Sequence, residues 1–364
     1  MHEQRKLEHL RISLEEEVES QAVSTGFERY SLTHQALPDL DLEAVNTETD
    51  FLGYRLAGPL MISAMTGGTS AAEAINRRLA KAAEEAGVAL ALGSQRAAIE
   101  DEALAYTYKV RQLAPSVPLL ANLGAVQLNH GYGLDECRRA VGMVEADALV
   151  LHLNPLQEAL QADGNTKFGG LLERIASVCS GLDVPVVVKE VGWGLSEEAA
   201  RKLADAGVAA IDVAGAGGSS WSRVEMHRAA SEHHRRVAAG FGDWGIPTAE
   251  SLLMARRGAP GIPVVASGGI RDGIQMAKSI AMGAALCGVA RPFLGAANDS
   301  AAAVLALIRV LIDQLRTTMF VVGARDMAQL RKSPMVETPV GESLGGGLDV
   351  DASRAGRVDH EMDA

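Results

Sequence analysis

Eight short apolar runs, each followed by a stretch with helical periodicity, fill the middle of this chain, and that alternation constrains the fold more than any other feature. The runs lie at 59–66, 88–94, 118–124, 146–154, 185–191, 209–215, 262–268 and 284–290. They are nearly continuous in Val, Leu, Ile and Ala, as strands covered on both faces are. Helical patterns occupy 71–86, 134–145, 169–180, 196–206, 248–257 and 272–282. Ser196, followed by Glu197 and Glu198, predicts an N-cap with acids matched to the helix dipole, and Asp272 predicts a second cap. Strands alternating with helices predict a parallel sheet. Eight such units in about 250 residues are the size of a closed (β/α)8 TIM barrel, an α/β fold.

An open doubly wound sheet would carry a glycine fingerprint after its first strand. The first unit here ends Met65-Thr66-Gly67-Gly68 instead. One G-x-G-x-x-G spacing does occur, at Gly240, Gly242 and Gly245, but it follows a polar stretch rather than a strand and reads as a loop. Residues 1–58 form an N-terminal extension, with a charged helical segment at 10–19 and a strand at 54–56. The barrel spans 59–332, and the amphipathic stretch 304–320 supplies its last helix. Residues 333–364 are rich in Gly, Asp and Ser without periodicity, which predicts a flexible tail.

Composition excludes some partners. Lys and Arg total 34 against 46 Asp and Glu, a net charge of −12 that disfavours nucleic acid and anionic membranes. The longest apolar run, 301–312, is interrupted by Arg309 and is too short to span a bilayer. Cys137, Cys179 and Cys287 match neither a zinc spacing nor a disulfide framework, so reduced thiols and a soluble cytoplasmic protein are expected.

The chemistry of such a barrel sits at the C-terminal ends of its strands. In the fourth run, the period of two puts Val150, His152 and Asn154 on the inner face and Leu149, Leu151 and Leu153 against the helices. Gln157 and Glu158 follow in the loop, and Lys189 shares a face with Val187 on the fifth run. Each alone reads as a satisfied polar residue; their convergence points to a site. Ser267-Gly268-Gly269-Ile270-Arg271 and Ala290-Arg291-Pro292 end the seventh and eighth runs, where glycine amides and a helix N-terminus commonly hold phosphate. For the glycines from Gly215 to Gly218, a tight loop needing positive φ is the stronger reading.

These residues, with others, resemble one family. Arg5-Lys6-x-x-His9, Ala64-Met65-Thr66-Gly67-Gly68, Gly93-Ser94-x-Arg96 and Asn122 match it, as do His152-x-Asn154-Pro155-x-Gln157-Glu158 and Val188-Lys189-Glu190-Val191-Gly192-x-Gly194. Ala214-Gly215-Ala216-Gly217-Gly218-Ser219-Ser220-Trp221 and Gly268-Gly269-Ile270-Arg271 complete the set. From Arg5 to about Arg325 the chain is similar to the type 2 isopentenyl-diphosphate isomerases; Ser219 stands where many members have Thr, with the hydroxyl retained.

The resemblance implies a barrel that binds FMN, uses Mg2+ and needs NADPH to reduce the flavin. The implied reaction is a 1,3-allylic proton shift that turns isopentenyl diphosphate into dimethylallyl diphosphate, with reduced FMN as acid and base, in isoprenoid biosynthesis. Carried over by position, Ala64, Met65, Thr66, Ser94, Asn122, Lys189 and Ser219 contact FMN, and Gly268, Gly269, Arg271, Ala290 and Arg291 hold its phosphate. Arg5, Lys6, Ser94, Gln95, Arg96 and Gln157 contact the substrate, and Glu158 the Mg2+. Gln157, Lys189, His152 and Asn154 are the residues nearest the chemistry. The family also implies a homo-oligomer, tetramer or octamer. Two alternatives remain. An FMN-dependent 2-hydroxy-acid oxidoreductase would share the barrel but carry a histidine after the sixth strand, where this chain has Gly-Gly-Ser-Ser-Trp. A non-catalytic flavin- or phosphate-binding barrel would have no use for Gln157, Glu158 and Lys189.

Overall fold

The computed structural model describes residues 2–337. Strands β4 (Leu60–Ile62), β5 (Ala89–Ala91), β6 (Leu119–Gly124), β7 (Ala148–Leu153), β8 (Val186–Glu190), β9 (Ala210–Asp212), β10 (Val264–Ser267) and β11 (Leu286–Val289) close into one parallel barrel. They are preceded by β1 (Tyr30–Leu32), β2 (Thr49–Phe51) and β3 (Tyr54–Leu56). Every barrel strand falls inside the run that predicted it, and closure is made by β11 pairing with β4.

The period of two separates two cores. Met61, Leu120, Val150, Val187, Val265 and Leu286 point inward and pack on one another. Leu149, Leu151, Val186 and Val188 point outward and join the helix shell. That shell includes α2 (Ser70–Ala86), α4 (Leu134–Val144), α6 (Leu171–Gly181), α7 (Glu197–Asp205), α10 (Thr248–Gly258), α11 (Gly273–Ala281) and α13 (Ala301–Val321). The Ser196 hydroxyl accepts from the Ala199 N–H and the Asp272 carboxylate from the Gln275 N–H, the two caps predicted. The remaining helices are α1 (His2–Glu15), α3 (Arg96–Glu100), α5 (Pro155–Leu160), α8 (Trp221–Arg228), α9 (Glu232–Ala239), α12 (Arg291–Asp299) and α14 (Met327–Leu330), of which α1, α3, α5, α8 and α12 border the cavity at the strand ends. Gly240, Gly242 and Gly245 lie in the turn that follows α9, as a loop reading required.

The extension closes the other end of the barrel. β2 and β3 form a hairpin through Leu52 and Gly53, both at positive φ, and bring Phe51 and Leu56 against the inward-facing residues. Tyr54 donates to Asp147 Oδ1 at 2.6 Å, and Arg111 meets Asp147 Oδ2 at 2.6 Å, so a charged cluster seals that end.

Three expectations need correction. The helix placed at 10–19 runs instead from His2 to Glu15 and stops there because the next residues are extended against loop six. The Ser220 N–H donates to Val18 at 2.7 Å and the Ser20 N–H to Gly218 at 3.0 Å. The last barrel helix is longer than 304–320, since Ser300 caps it at the Ala303 N–H. The tail expected from 333 begins in order: β12 (Met335–Glu337) pairs antiparallel with β1, and Arg29 reaches from below to Glu337 at 2.7 Å and to Glu250. The remainder of the expected tail, 338–364, lies outside the described residues.

Candidate active site

The C-terminal strand ends surround one cavity, and every site residue named from the sequence borders it except Gln95. Gln95 is fully buried and turned outward. Its amide nitrogen donates to Ala140 O at 2.8 Å and its oxygen accepts from the Asn122 N–H at 2.9 Å. Both ends are therefore committed to holding β6 and α4 together, and the side chain does not border the cavity where a substrate contact was expected of it.

The inner wall comes from β6, β7 and β8. Adjacent register sets His152 beside Gly124 on one side and Lys189 on the other. Gly124 leaves room for the imidazole, since a Cβ there would sit 3.2 Å from Nε2. Burial, with Lys189 and Lys6 nearby, pushes the His152 pKa down to about 3, so the ring stays neutral. Its Nδ1 lies 2.9 Å from Asn122 Oδ1, which can only accept. With the Asn122 amide in this orientation, Nδ1 donates to it and Nε2 is left to accept.

Lys189 donates to the Glu190 carbonyl at 2.6 Å. Glu190 Oε2 in turn accepts three consecutive N–H groups, from Val191, Gly192 and Trp193, which folds the turn after β8. Asp212 pairs with Lys189 across β8 and β9. Burial raises its pKa, and Oδ1 accepts from the Ser267 hydroxyl at 2.5 Å while Oδ2 has no partner.

Pro155 starts α5 at a position that needs no N–H donor, directly after Asn154. Asn154 Nδ2 donates to Gln157 Oε1 at 3.1 Å and to Glu158 Oε1 at 2.9 Å. Glu158 Oε2 accepts from the Asn165 N–H at 2.6 Å. The Gln157 amide then donates to Glu225 Oε1 at 3.3 Å.

Glu225, on α8, is the residue that sequence reasoning missed. It is buried, and it also meets His9 Nε2 at 3.1 Å, Gln161 Nε2 at 3.1 Å and Arg228 Nη1 at 2.6 Å. Burial alone would raise its pKa; the His9 bond and the Arg228 charge outweigh that and hold it below the usual carboxylate range. It sits in a helix interior with no strand-end pattern, so only the neighbouring Trp221 in the motif after β9 hinted at this helix.

α1 lies across the mouth as an arm. Arg5 donates to Gln161 at 3.2 Å and Lys6 to the Ser94 carbonyl at 3.5 Å. The His9 ring stands edge-on to Trp221, with centroids 5.1 Å apart. Burial, reinforced by Arg5 and Arg96, lowers the Lys6 pKa to about 8. Three cations thus converge at one end of the cavity.

Loops six and seven form the other end by backbone packing. A Cβ on Gly268 would lie 2.1 Å from Gly215 O, and one on Gly269 would lie 2.5 Å from Gly217 O. Both residues have left-handed φ, +105° and +74°. The loop-seven glycines are therefore required for close approach, whereas among the loop-six glycines the positive φ expected of a tight loop occurs at Gly217 alone, +111°, where a Cβ would lie 2.2 Å from Thr25 N. Arg271 and Arg291 border this end, and both meet Glu19 Oε1, at 2.7 and 2.9 Å.

The donor set fits FMN: a glycine loop and the N-terminus of α12 at one end, and Asn122, neutral His152 and Lys189 along the wall. Ser63 Oγ, also bordering the cavity, is buried without a partner. No cluster of three metal-ligating side chains occurs among the described residues. Glu158 and the unpartnered Asn154 Oδ1 fit a Mg2+ that takes most of its shell from substrate and water.

The family model of the FMN-dependent dehydrogenases matches residues 2–115 and 150–337. Isopentenyl-diphosphate delta-isomerase of Nostoc sp. is 51% identical over 90% of this chain and 94% of its own length. The enzymes of that name from Synechococcus sp. and Stutzerimonas stutzeri are 54% and 51% identical, over 90% and 92% of this chain and 94% and 96% of theirs. Among solved structures, a mandelate oxidase mutant with a C4a-OH-FMN adduct superposes with a TM-score of 0.65 at 22% identity, covering 93% of this chain and 99% of that one. At that identity the likeness speaks for the barrel alone.

Proposed function

The chain belongs to the isopentenyl-diphosphate delta-isomerases, an isomerase branch on the FMN-dependent dehydrogenase barrel, and from that premise we propose a division of labour within its cavity. The reaction is the conversion of isopentenyl diphosphate to dimethylallyl diphosphate by a 1,3-allylic proton shift, for which reduced FMN, when bound, supplies the acid/base chemistry. The observation that carries this reading is the pair of anion-binding ends on a single cavity. The glycines of loop seven and the N-terminus of α12 suit the flavin phosphate, while Arg5, Lys6 and Arg96 suit a diphosphate.

Ala64, Met65, Thr66, Ser94, Asn122, Lys189 and Ser219 contact the flavin in this reading, and Gly268, Gly269, Arg271 and the backbone at Ala290 and Arg291 hold its phosphate. Glu158, which borders the cavity, would hold Mg2+, whose charge would offset that of the diphosphate. Gln157 does not titrate, so it orients the substrate or passes a proton by hydrogen bonding. Asn154 fixes Gln157 and Glu158 in one arrangement. Neutral His152 presents an acceptor, and the Lys189 ammonium stabilises negative charge along the wall. The arm keeps water from the reacting atoms. NADPH as reductant, a tetrameric or octameric assembly and a cytoplasmic site belong to the same proposal. The three free thiols and the lack of a membrane-crossing helix among the described residues are compatible with that location.

The experiment is an anaerobic incubation of the flavin-loaded protein with isopentenyl diphosphate in D2O after a single reduction by NADPH. Deuterated dimethylallyl diphosphate, formed over many turnovers without further NADPH consumption, is the expected result. NADPH oxidised in proportion to product would overturn it in favour of an oxidoreductase.

A further inference from the structure

Arg291 stands at the end of β11, where its guanidinium was expected to meet a phosphate. Its nitrogens are spent elsewhere. Nε donates to Ser13 O at 3.1 Å, Nη2 to Glu16 O at 3.2 Å and Nη1 to Glu19 Oε1 at 2.9 Å. Ser13 lies in the last turn of α1, whose carbonyls have no helical partner and carry the negative end of the dipole. Arg291 therefore caps the C-terminus of the arm. Glu19 joins the same group to loop seven through Arg271 Nη2 at 2.7 Å.

We infer that Arg291 and Glu19 form a clasp that positions the substrate arm, leaving the flavin phosphate to the loop-seven glycines, the α12 amides and Arg271. The inference rests on the reading of Arg5 and Lys6 as diphosphate ligands.

Two observations support it independently. First, charge: two guanidiniums against one carboxylate leave one net positive charge, so the phosphate position stays cationic with Glu19 in place. Second, leverage: Ser13 and Arg5 are eight residues apart on one helix, roughly 12 Å along its axis, so a clasp at one end fixes the cations at the other. The backbone beyond the helix is already held by loop six through the Ser20 N–H to Gly218 and the Ser220 N–H to Val18. What remains to be fixed is the angle at which α1 leaves that strand, and the three bonds of Arg291 hold its C-terminal end while His9 to Glu225 and Arg5 to Gln161 hold the rest.

The test is hydrogen exchange across residues 2–15 of the FMN-loaded protein, with FMN titration and steady-state kinetics on the same variants. Arg291→Ala and Glu19→Gln should each raise exchange in the arm about tenfold or more, the equivalent of one or two charge-assisted bonds. They should raise KM for the diphosphate more than they lower kcat. Arg291→Lys keeps the charge but lacks the fork that reaches three acceptors, so it should leave the arm as loose as Arg291→Ala does. Unaltered arm protection with FMN affinity lost in Arg291→Ala would make this side chain a phosphate ligand and overturn the clasp. Tighter FMN binding in Glu19→Gln would make Glu19 a stand-in anion that the phosphate displaces, which also overturns it. Exchange is read without turnover, so failure of the clasp and failure of the isomerase reading are distinguishable.

Discussion

The side-chain amide of Gln157 donates to Glu225 Oε1 at 3.3 Å, while its carbonyl oxygen accepts from Asn154 at 3.1 Å. A terminal amide would otherwise turn freely about its last bond; here opposite partners at its two ends allow one orientation only. Glu225 is common to Gln157, Gln161, His9 and Arg228, so it ties the arm, α5 and α8 to one carboxylate.

Glu225→Gln should therefore lower kcat/KM by about 10- to 100-fold, from the loss of charge-assisted bonds and of the Gln157 orientation. Steady-state kinetics beside a flavin spectrum checks this. Activity within about twofold of the unaltered protein, on the same scale of bond energies, would mean that Gln157 orientation is set by Asn154 alone.

Lys6 gives the reaction a pH limit. Its pKa is pushed down to about 8 by burial and by Arg5 and Arg96, and only the charged form below that value attracts the diphosphate. In the free protein kcat/KM should fall as pH rises through about 8, with kcat less affected because bound diphosphate restores the charge. Lys6→Arg should move the fall upward in pH. His152, neutral down to about 3, should add no acid limb in the working range.

Gly268 is a backbone requirement of the flavin end. Its φ of +105° and the 2.1 Å that would separate a Cβ from Gly215 O leave no place for a side chain. Gly268→Ala should cost about 2–5 kcal/mol in stability, from conformational strain and overpacking together, and should weaken FMN binding. Thermal unfolding and flavin titration measure the two effects; an alanine variant with normal flavin affinity would contradict the loop-six contact.

Tyr54 provides the contrast from the opposite end of the barrel. Tyr54→Phe removes the 2.6 Å bond to Asp147 and should cost about 1–2 kcal/mol in unfolding free energy. Because the cluster is remote from the cavity, kcat and KM should not change.

Much of the site was legible before folding is considered, because strand geometry is local. The period of two alone decides that His152 and Lys189 face inward with Val150 and Val187 while Leu149 and Leu151 face the helices. The caps at Ser196 and Asp272 are equally local, each bonding an N–H three residues on. Glycine pairs at strand ends announce a loop that departs from ordinary φ, which is what Gly268 and Gly269 show.

Contacts between distant elements are a different matter. Gln95 sits one residue from Ser94 and Arg96, both of which border the cavity, yet it points away because Ala140 and Asn122 offer its amide buried partners. Glu19 meets Arg271 and Arg291 across 252 and 272 positions of chain, and Glu225 meets His9 across 216. Nothing near Glu19 or Glu225 in the sequence marks them, since an acid in an exposed segment and an acid in a buried network look alike until the partners are present. The residues themselves determined the eight-fold alternation, the inward face of the fourth and fifth strands and the glycine loops at the strand ends. Only the tertiary structure decided which charged side chains would be desolvated together, because that choice depends on the packing of α1 and α8 over the barrel rather than on any local conformational preference.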